Sequence, residues 1–544
     1  MSEIDDGVTR RRFLQTTIVA AGAAALPFDG VMAQSASARY TRYNVMSANG
    51  QRALASYAKG VEAMLKLPPT HPQNWFRNAF IHLMDCPHGN WWFYVWHRGY
   101  LGYLEETIRN LSGDRNFAIP YWDWTTLPRI PEPMFDGPLN PQNMPFERYT
   151  RNLADFSSFI KPALTAYWNS LSAAQRAQLK TRGYATFDSL WNDVDGYDPS
   201  TQNGIAGNIA YANTCGSRYL TRDNPKFDAR TAYDVSLPVI VSGLKPQLFY
   251  SPDISLSFTS SKTASHEVQP NGSTQFSILE GLPHNNVHNY TGGVGPLDPG
   301  PYGNMTNFLS PVDPIFFLHH SNMDRLWDVW TRKQKRLGLP YLPTGKDLVT
   351  LSTEPFLFYV NGEGHYVGTS HAGDYLSTER FHYDYEPGSG EHELAAAKVA
   401  SAKKQTLSMK GEVKGGIASV TVPRAAVQEH LSAAEPTLIA EVRVQRPGPR
   451  ALTRAFDVIV GAPAGVTHVD PSSPYYAGTI AFFGHMNHDM NMSEDATFAV
   501  PLPKRPEAFH SLEATNVAVN IRILPAQARG QATPLKAVSV RAVQ

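Results

Sequence analysis

Two groups of histidines in this chain have the spacing of metal ligands. His284 and His288 are four residues apart, so on a helix they would project from one face and could bind one ion. His320, near the start of the next predicted helix, could supply a third imidazole. The other group could hold a second ion, and it consists of His82, His88 and His97. Three imidazoles leave each metal open to an exogenous ligand, but copper, zinc, iron and nickel all accept imidazole.

Helices must position these histidines. Helical spacing of apolar residues runs over about 40–65, 75–84 and 90–110, resumes near 277, and continues over 314–336. Four of these segments bear the histidines, which predicts a mainly α core in which a four-helix bundle holds the metals on facing helices.

After Pro387-Gly388-Ser389-Gly390 the pattern changes to short alternating runs separated by Gly, Pro and Asn. The runs are 418–422, 437–444, 455–460, 478–483, 497–500 and 517–523. Such runs predict a C-terminal β-sandwich.

The N-terminus has the layout of an export signal. Arg10-Arg11-Arg12-Phe13-Leu14 precedes an apolar stretch at 18–26, and small residues follow at 31–33 and 36–38. This resembles a twin-arginine signal, and its apolar stretch is too short to span a bilayer comfortably. We therefore expect export to a periplasm or to the outside of a bacterial cell. The expected domains are a signal at 1–38, a metal-binding core at 39–390, a linker at 391–410 and the sandwich at 411–544.

The amino-acid composition limits the classes of binding partner that the chain is expected to have. Apolar residues make up 42% of the 544 residues, charged residues 18%, and the formal net charge is +0. This predicts a soluble globule with no nucleic-acid partner and no stable membrane insertion, and it leaves homo-oligomers open. Two cysteines exclude a disulfide framework: we assign Cys86 to the site, because it precedes His88 by two residues, and expect Cys215 to be a structural thiol.

Three motifs resemble the copper-binding regions of tyrosinases, catechol oxidases and haemocyanins. They are His82 to Arg98 with Leu104-Glu105, Leu279 to His288, and Asp313-Pro-Ile-Phe-Phe-Leu-His-His-Ser-Asn-Met-Asp-Arg325. The resemblance covers about 40–390 and is much weaker over 130–275. It implies two copper ions, one held by His82, His88 and His97 and the other by His284, His288 and His320. His82 and His88 are closer together than in many relatives, so His71 remains an alternative to His82.

Neighbouring residues have expected supporting roles. In the histidine doublet the family places the ligand second, so His319 would support His320. Asp324 could accept a hydrogen bond from a ligand imidazole. By resemblance, Phe316 packs over the copper pair, and Cys86 has the spacing at which some relatives link cysteine to histidine through a thioether.

The resemblance implies an enzyme that uses O2 to hydroxylate monophenols at the ortho position and to oxidise o-diphenols to o-quinones. Glu280 and Asn285 match the glutamate and asparagine proposed in the family to hold a water that takes the phenol proton, which favours a tyrosinase. Alternatives are a catechol oxidase with diphenolase activity alone, a haemocyanin-like O2 carrier, and a zinc hydrolase.

The C-terminal region resembles the domains that cover the copper pocket in plant and fungal relatives. Tyr383-Asp384-Tyr385 resembles the motif that closes their core, which places the end of the core near 390. An aromatic ring could occupy the place of a phenol. The candidates are Tyr475, Tyr476, Phe482 and Phe483, and the tyrosines resemble the substrate most. The run His485 to Met492 combines imidazoles and thioethers, which suit Cu(I) delivery.

Overall fold

The computed structural model describes residues 40–195, 218–293, 303–396, 407–448, 453–484, 494–527 and 530–543. The expected export signal, Cys215 and the run His485 to Met492 lie outside these ranges. Among the described residues, no helix is both long and apolar enough to cross a membrane.

The first helix is shorter than its sequence pattern predicted. Helix α1 spans Ala48–Lys66 and begins after Ser47, whose side chain accepts the Gly50 N–H. The expected start near residue 40 is wrong, because Tyr40–Arg42 instead form strand β1, which pairs in parallel with Tyr383–Tyr385. A distant partner strand overrides the local helical pattern here.

Four helical segments enclose the histidines and confirm the predicted scaffold. Helix α2 spans Trp75–Asp85, α3 spans Phe93–Ser112, and α11 spans Ile315–Leu337. The fourth segment is a π-helical turn, Glu280–His284, that continues into α10, Asn285–Gly292. Pro283 lies within the turn, and the Asn285 N–H donates to the carbonyl of Glu280 five residues back.

The other helices of the described residues bear none of the six candidate ligands. They are α4 Met144–Thr150, α5 Leu153–Ser170, α6 Ala173–Thr181, α7 Phe187–Asp195, α8 Ala229–Asp234, α9 Leu237–Leu244, α12 Lys346–Thr353, α13 His392–Ala396 and α14 Arg424–Ser432. The last of these belongs to the C-terminal region. The core interior is rich in aromatic residues and includes Trp75, Trp92, Trp96, Trp124 and Trp327.

The C-terminal region is built of two five-stranded sheets, as the alternating runs predicted. The strands are β2 Ser273–Phe276, β6 Leu407–Lys410, β7 Glu412–Lys414, β8 Ile417–Pro423, β9 Leu438–Gln445, β10 Ala455–Val460, β11 Tyr476–Ala481, β12 Asp495–Pro501, β13 Asn516–Pro525 and β14 Leu535–Ala542. One sheet has the strand order β11-β10-β13-β8-β7, and the other has the order β2-β12-β9-β14-β6. Two-residue strands β3 Pro355–Phe356 and β4 Ser370–His371 and strand β5 Tyr383–Tyr385 lie in the core.

One strand of the second sheet comes from the helical part of the chain. Strand β2 pairs in parallel with β12, in register from Ser273 opposite Asp495 to Phe276 opposite Phe498. The rings of Phe276 and Phe498 stack with centroids 4.9 Å apart. The two regions therefore share a backbone ladder as well as side-chain contacts, which the sequence pattern did not predict. Strand β6 also lies inside the segment that was expected to be a linker.

Candidate dinuclear metal site

The six predicted ligands form two adjacent triangles of imidazole rings. Ring centroids of His82, His88 and His97 are 5.3 to 5.5 Å apart. Those of the second triangle are 4.6 to 5.4 Å apart, and its members are His284, His288 and His320. The triangles meet where His97 stacks on His320 at 4.1 Å and where His88 lies 5.6 Å from His284.

Hydrogen bonds fix the tautomer of four of these rings. The Nδ1–H groups of His82 and His97 donate to the carbonyls of Phe308 and Phe93, both at 2.7 Å, and that of His288 donates to Met305 at 2.8 Å. His284 Nδ1 donates to Asn285 Oδ1 at 2.9 Å. Because carbonyl oxygens only accept, Nδ1 carries the proton in each ring and Nε2 keeps its lone pair.

The Nε2 atoms of the ligand rings converge within each triangle. His82 Nε2 lies 3.4 Å from His97 Nε2, and His288 Nε2 lies 3.1 Å from His320 Nε2. Nε2 of His88 and of His284 is buried with no hydrogen-bond partner. Facing lone pairs repel and buried unpaired nitrogens are costly, so a cation in each triangle would satisfy both.

Electrostatics keep the rings in the form that binds metals. Burial lowers the pKa of His97 and of His284 to about 3, and their hydrogen bonds to Phe93 and Asn285 offset only part of this effect. Burial, followed by the neighbouring imidazoles, lowers the pKa of His88 and His320. All are therefore neutral near pH 7, as ligation requires.

His319 lies in the cluster but has the other tautomer. Its Nδ1 accepts the Trp124 Nε1–H at 2.9 Å, so the proton of the neutral ring is on Nε2. Its ring packs 5.3 Å from His284 and 4.8 Å from His288. This arrangement favours His320, the second histidine of the doublet, as the ligand. His71 lies near Gly364 rather than with His88 and His97.

Aromatic rings form the wall of the site. The Phe316 ring lies 4.2 Å from His320 and 4.9 Å from His82, so it contacts one ring of each triangle. Phe93 packs at 4.7 Å from His97 and 4.8 Å from His284. Phe308 lies 5.5 Å from His88.

Cys86 is next to His88 in space as well as in sequence. Its Sγ lies 3.4 Å from His88 Nδ1, and Arg182 Nη2 donates to the Cys86 carbonyl at 2.5 Å. Burial raises the pKa of the Cys86 thiol, so the thiol is protonated near pH 7.

Asp324 does not contact an imidazole, which corrects the expectation for it. Its carboxylate accepts from Arg98 Nε at 2.7 Å and Arg42 Nη1 at 2.9 Å, and from the hydroxyls of Tyr383 and Tyr385. Burial alone would raise its pKa, but the two guanidinium groups hold it below the usual value. Asp324 thus joins α3, α11 and the β1–β5 ladder through buried ion pairs.

Glu280 and Asn285 lie at the site, and both already have partners. Glu280 Oε1 accepts the Gly89 N–H at 2.6 Å, and Oε2 accepts the Ser260 hydroxyl. Burial raises the pKa of the Glu280 carboxyl to about 7, against the effect of these two hydrogen bonds. Asn285 Nδ2 donates to the Ala481 carbonyl at 2.8 Å while its Oδ1 holds His284.

Two further asparagines of α10 bind the same segment of the C-terminal region. Asn286 Nδ2 donates to the Thr479 carbonyl at 2.7 Å, and Asn289 Nδ2 donates to the Phe482 carbonyl at 3.0 Å. We call Asn285, Asn286 and Asn289 the asparagine clamp. The sequence analysis missed two of its members, although amides flanking His284 and His288 were a visible signal.

The four aromatic candidates for a ring in the pocket differ in their distance from the histidines. Phe483 lies 4.1 Å from His288 and 4.9 Å from His88, so it contacts both triangles. It is followed by Gly484 at φ 83°, where a Cβ would come within 2.6 Å of the Phe308 ring. The tyrosines were favoured wrongly: Tyr476 is buried against Tyr233, and Tyr475 packs beside Tyr476 and Val469. Phe482 packs on Phe498 inside the sandwich.

Residues 63–333 match the common central domain of tyrosinase. Polyphenol oxidase II of Ipomoea batatas is 24% identical over 352 residues, which is 61% of this chain and 47% of the relative. Aureusidin synthase of Antirrhinum majus is 27% identical over 305 residues, 53% of this chain and 42% of the relative. The match thus spans less than half the length of these relatives.

Solved structures share the fold over nearly the whole chain. Latent apple tyrosinase superposes with a TM-score of 0.50 at 20% identity, covering 95% of this chain and 98% of the other. Latent aurone synthase gives 0.53 at 18%, covering 95% and 92%. A functional unit of octopus hemocyanin gives 0.50 at 15%, covering 93% and 100%. Such identities establish the fold alone.

A helical core with two clusters of buried imidazoles, joined to a C-terminal β-region, defines the fold class of the polyphenol oxidases. The chain carries a tyrosinase-family domain, of the type 3 copper, polyphenol oxidase kind.

Proposed function

We propose that this protein is a tyrosinase that binds two copper ions, hydroxylates monophenols and oxidises o-diphenols to o-quinones with O2. The observation that carries the proposal is the pair of imidazole triangles, in which hydrogen bonds hold Nδ1 of four rings and the Nε2 atoms converge. His82, His88 and His97 would hold one copper, and His284, His288 and His320 the other. Bound copper supplies the redox chemistry with O2.

The protein's own residues orient the ligands and keep the site dry. Backbone carbonyls of Phe93, Met305 and Phe308 fix the ring orientations, which supports tight ligation. Phe316 and Phe93 exclude water between the triangles. The Cys86 Sγ lies close enough to His88 to support a thioether that would pin this ligand.

Glu280 is the proposed proton acceptor for a phenol. A carboxyl with a pKa near 7 is well matched to take a proton near neutral pH. Each of its oxygens retains a second acceptor position beside the Gly89 and Ser260 bonds, which a water could use. Asn285 orients His284 in this structure, so its part in holding that water requires release of its amide from Ala481.

The C-terminal region is the proposed lid, and Phe483 its plug. Its ring fills the space against His88 and His288 where a phenol ring would dock. We infer that the enzyme is latent in this form. We also propose that residues 1–38 direct twin-arginine export; the polyphenol oxidase relatives from Ipomoea, Malus and Vitis are named as chloroplastic.

One experiment separates the candidate functions. Purified protein is analysed for copper and zinc, and O2 consumption is followed with a monophenol and a catechol. Copper with turnover of both substrates supports the tyrosinase. Turnover of catechol alone indicates a catechol oxidase, reversible O2 binding without turnover indicates a carrier, and zinc in place of copper would contradict the proposal.

A further inference from the structure

A second cluster of potential ligands lies beside the histidine site. Asp85, His266 and Glu267 are buried, and each offers one ligand atom within 4.8 Å of the others. His266 Nε2 lies 3.1 Å from Asp85 Oδ1 and 2.9 Å from Glu267 Oε1. None of these residues belongs to the two imidazole triangles.

The opposite atom of each side chain is held by another residue. Trp96 Nε1 donates to Asp85 Oδ2 at 2.7 Å, and Arg182 Nη1 donates to Glu267 Oε2 at 3.1 Å. Glu354 Oε1 accepts from His266 Nδ1 at 2.5 Å. This is the arrangement in which outer groups orient metal ligands, and it leaves Oδ1, Oε1 and Nε2 next to one another.

A single proton on Nε2 cannot satisfy both carboxylates. The contact with Asp85 has hydrogen-bond geometry, whereas the buried Glu267 Oε1 has no hydrogen-bond partner. A cation would accept a lone pair from all three atoms. Ligand atoms about 3.3 Å apart are expected around a tetrahedral ion with bonds near 2.0 Å, close to the observed separations.

The net charge of the cluster around His266 also favours a bound cation. The groups in direct contact are the carboxylates of Asp85, Glu267 and Glu354, the Arg182 guanidinium and the His266 ring. With the ring protonated, the ionised cluster keeps one net negative charge in a buried site, which is costly. A divalent ion beside a neutral ring brings the sum to zero.

We propose that Asp85, His266 and Glu267 bind a third metal, a divalent first-row ion such as Zn²⁺. Nitrogen and carboxylate ligands suit zinc, and three protein ligands leave a fourth position open. That position would be reached from a cavity of about 300 Å³, which His266 and Glu267 line together with His88 and Phe483. The site does not depend on the proposed phenol oxidation.

The test uses the full-length copper-loaded protein, equilibrated with Zn²⁺ and desalted, with both metals measured by mass spectrometry. We expect one zinc per chain beyond the copper, and a zinc absorption edge that reports one imidazole with oxygen ligands. Glu267→Gln and Asp85→Asn should each weaken zinc binding at least 10-fold. Asp347→Asn, which removes a carboxylate paired with Lys262 at the surface, is the matched control.

Two results would overturn the proposal. One is the absence of bound zinc in the folded native protein. The other is zinc retained equally by Glu267→Gln, which would place the ion elsewhere, for example on the His485 to Met492 run. Because a ligand variant could lose its fold, Glu354→Gln is measured as well: it keeps all three ligands and should weaken binding about 10-fold through loss of orientation.

Discussion

The two imidazole triangles differ in what holds them. The first, on α2 and α3 with His88 between, is fixed by core carbonyls such as those of Phe93 and Phe308. Two members of the second, His284 and His288, lie on a short helical segment whose asparagine clamp is bonded to the C-terminal region. A triangle anchored in the core is therefore paired with one that is bonded to the C-terminal region, so movement of the proposed lid should affect the second triangle first.

Loss of one ligand from each triangle has the largest expected effect. His97→Ala and His288→Ala should each remove one copper and reduce turnover more than about 100-fold, because two imidazoles hold the ion poorly. Copper content and O2 consumption measure this. The comparison predicts a difference besides: only His288→Ala should make the C-terminal region more susceptible to limited proteolysis. Equal susceptibility would show that the triangles are not unequally coupled.

Glu280 connects the two imidazole triangles. It precedes His284 by one helical turn, and its carboxylate accepts the N–H of Gly89, which follows His88. Glu280→Gln should reduce monophenol hydroxylation about 100-fold and catechol oxidation only slightly, if the carboxylate takes the phenol proton. Asn285→Ala should reduce both activities, because it releases His284. Equal losses in Glu280→Gln on both substrates would contradict the proton-acceptor role.

The pH dependence follows from the raised pKa of Glu280. The carboxyl is ionised only above about pH 7, so monophenol turnover should rise through that pH and level off above it. Since the folded pKa lies above the unfolded value of about 4.3, this group's contribution to stability is complete below that value and is lost as pH rises through 7. Glu280→Gln should flatten both profiles, as rate measurements and urea unfolding can show.

Removal of the Phe483 ring should have the next largest effect on turnover. Phe483→Ala removes the ring against both triangles and should raise turnover of phenols about 10-fold without changing copper content, because an intramolecular plug competes at high effective concentration. Tyr475→Ala is a matched control that removes an aromatic ring of the same region away from the histidines. If both variants left turnover unchanged, Phe483 would not be the block.

Cleavage of the chain within 391–410 should not by itself release the C-terminal region from the core. Strand β2 keeps the C-terminal region paired to the core through β12 after a cut within 391–410. We therefore expect the nicked protein to remain assembled on gel filtration. It should stay latent until mild denaturant separates β2 from β12. Full activation by the cut alone would mean that the ladder contributes little.

The sequence predicted the parts that depend on local pattern. The histidine spacing on helices identified both triangles, and alternation located six of the strands. It could not predict strand β2, because this four-residue segment is short and pairs with a strand more than 200 positions away. The sequence also could not identify Phe483 rather than Tyr475 as the ring at the histidines. The likeness of a tyrosine to a phenol does not predict which ring faces the site, and the backbone at Gly484, which has a positive φ, follows Phe483. Asp324 failed similarly, because its guanidinium partners are distant in sequence.

The smallest expected effect tests the clamp itself. Asn289→Ala removes one amide and leaves the buried Phe482 carbonyl without its donor, a cost of about 1 to 3 kcal/mol. Part of that cost falls on the closed form alone, so turnover should rise a few-fold while copper stays bound. Asn110→Ala is the control away from the lid, because Asn110 on α3 donates to the Gly362 carbonyl, which also accepts from Gln73. It should lower the unfolding midpoint by less and should not raise turnover. If the two variants behaved alike in both measurements, the clamp would be ordinary packing, and the second triangle would be no more closely coupled to the lid than the first.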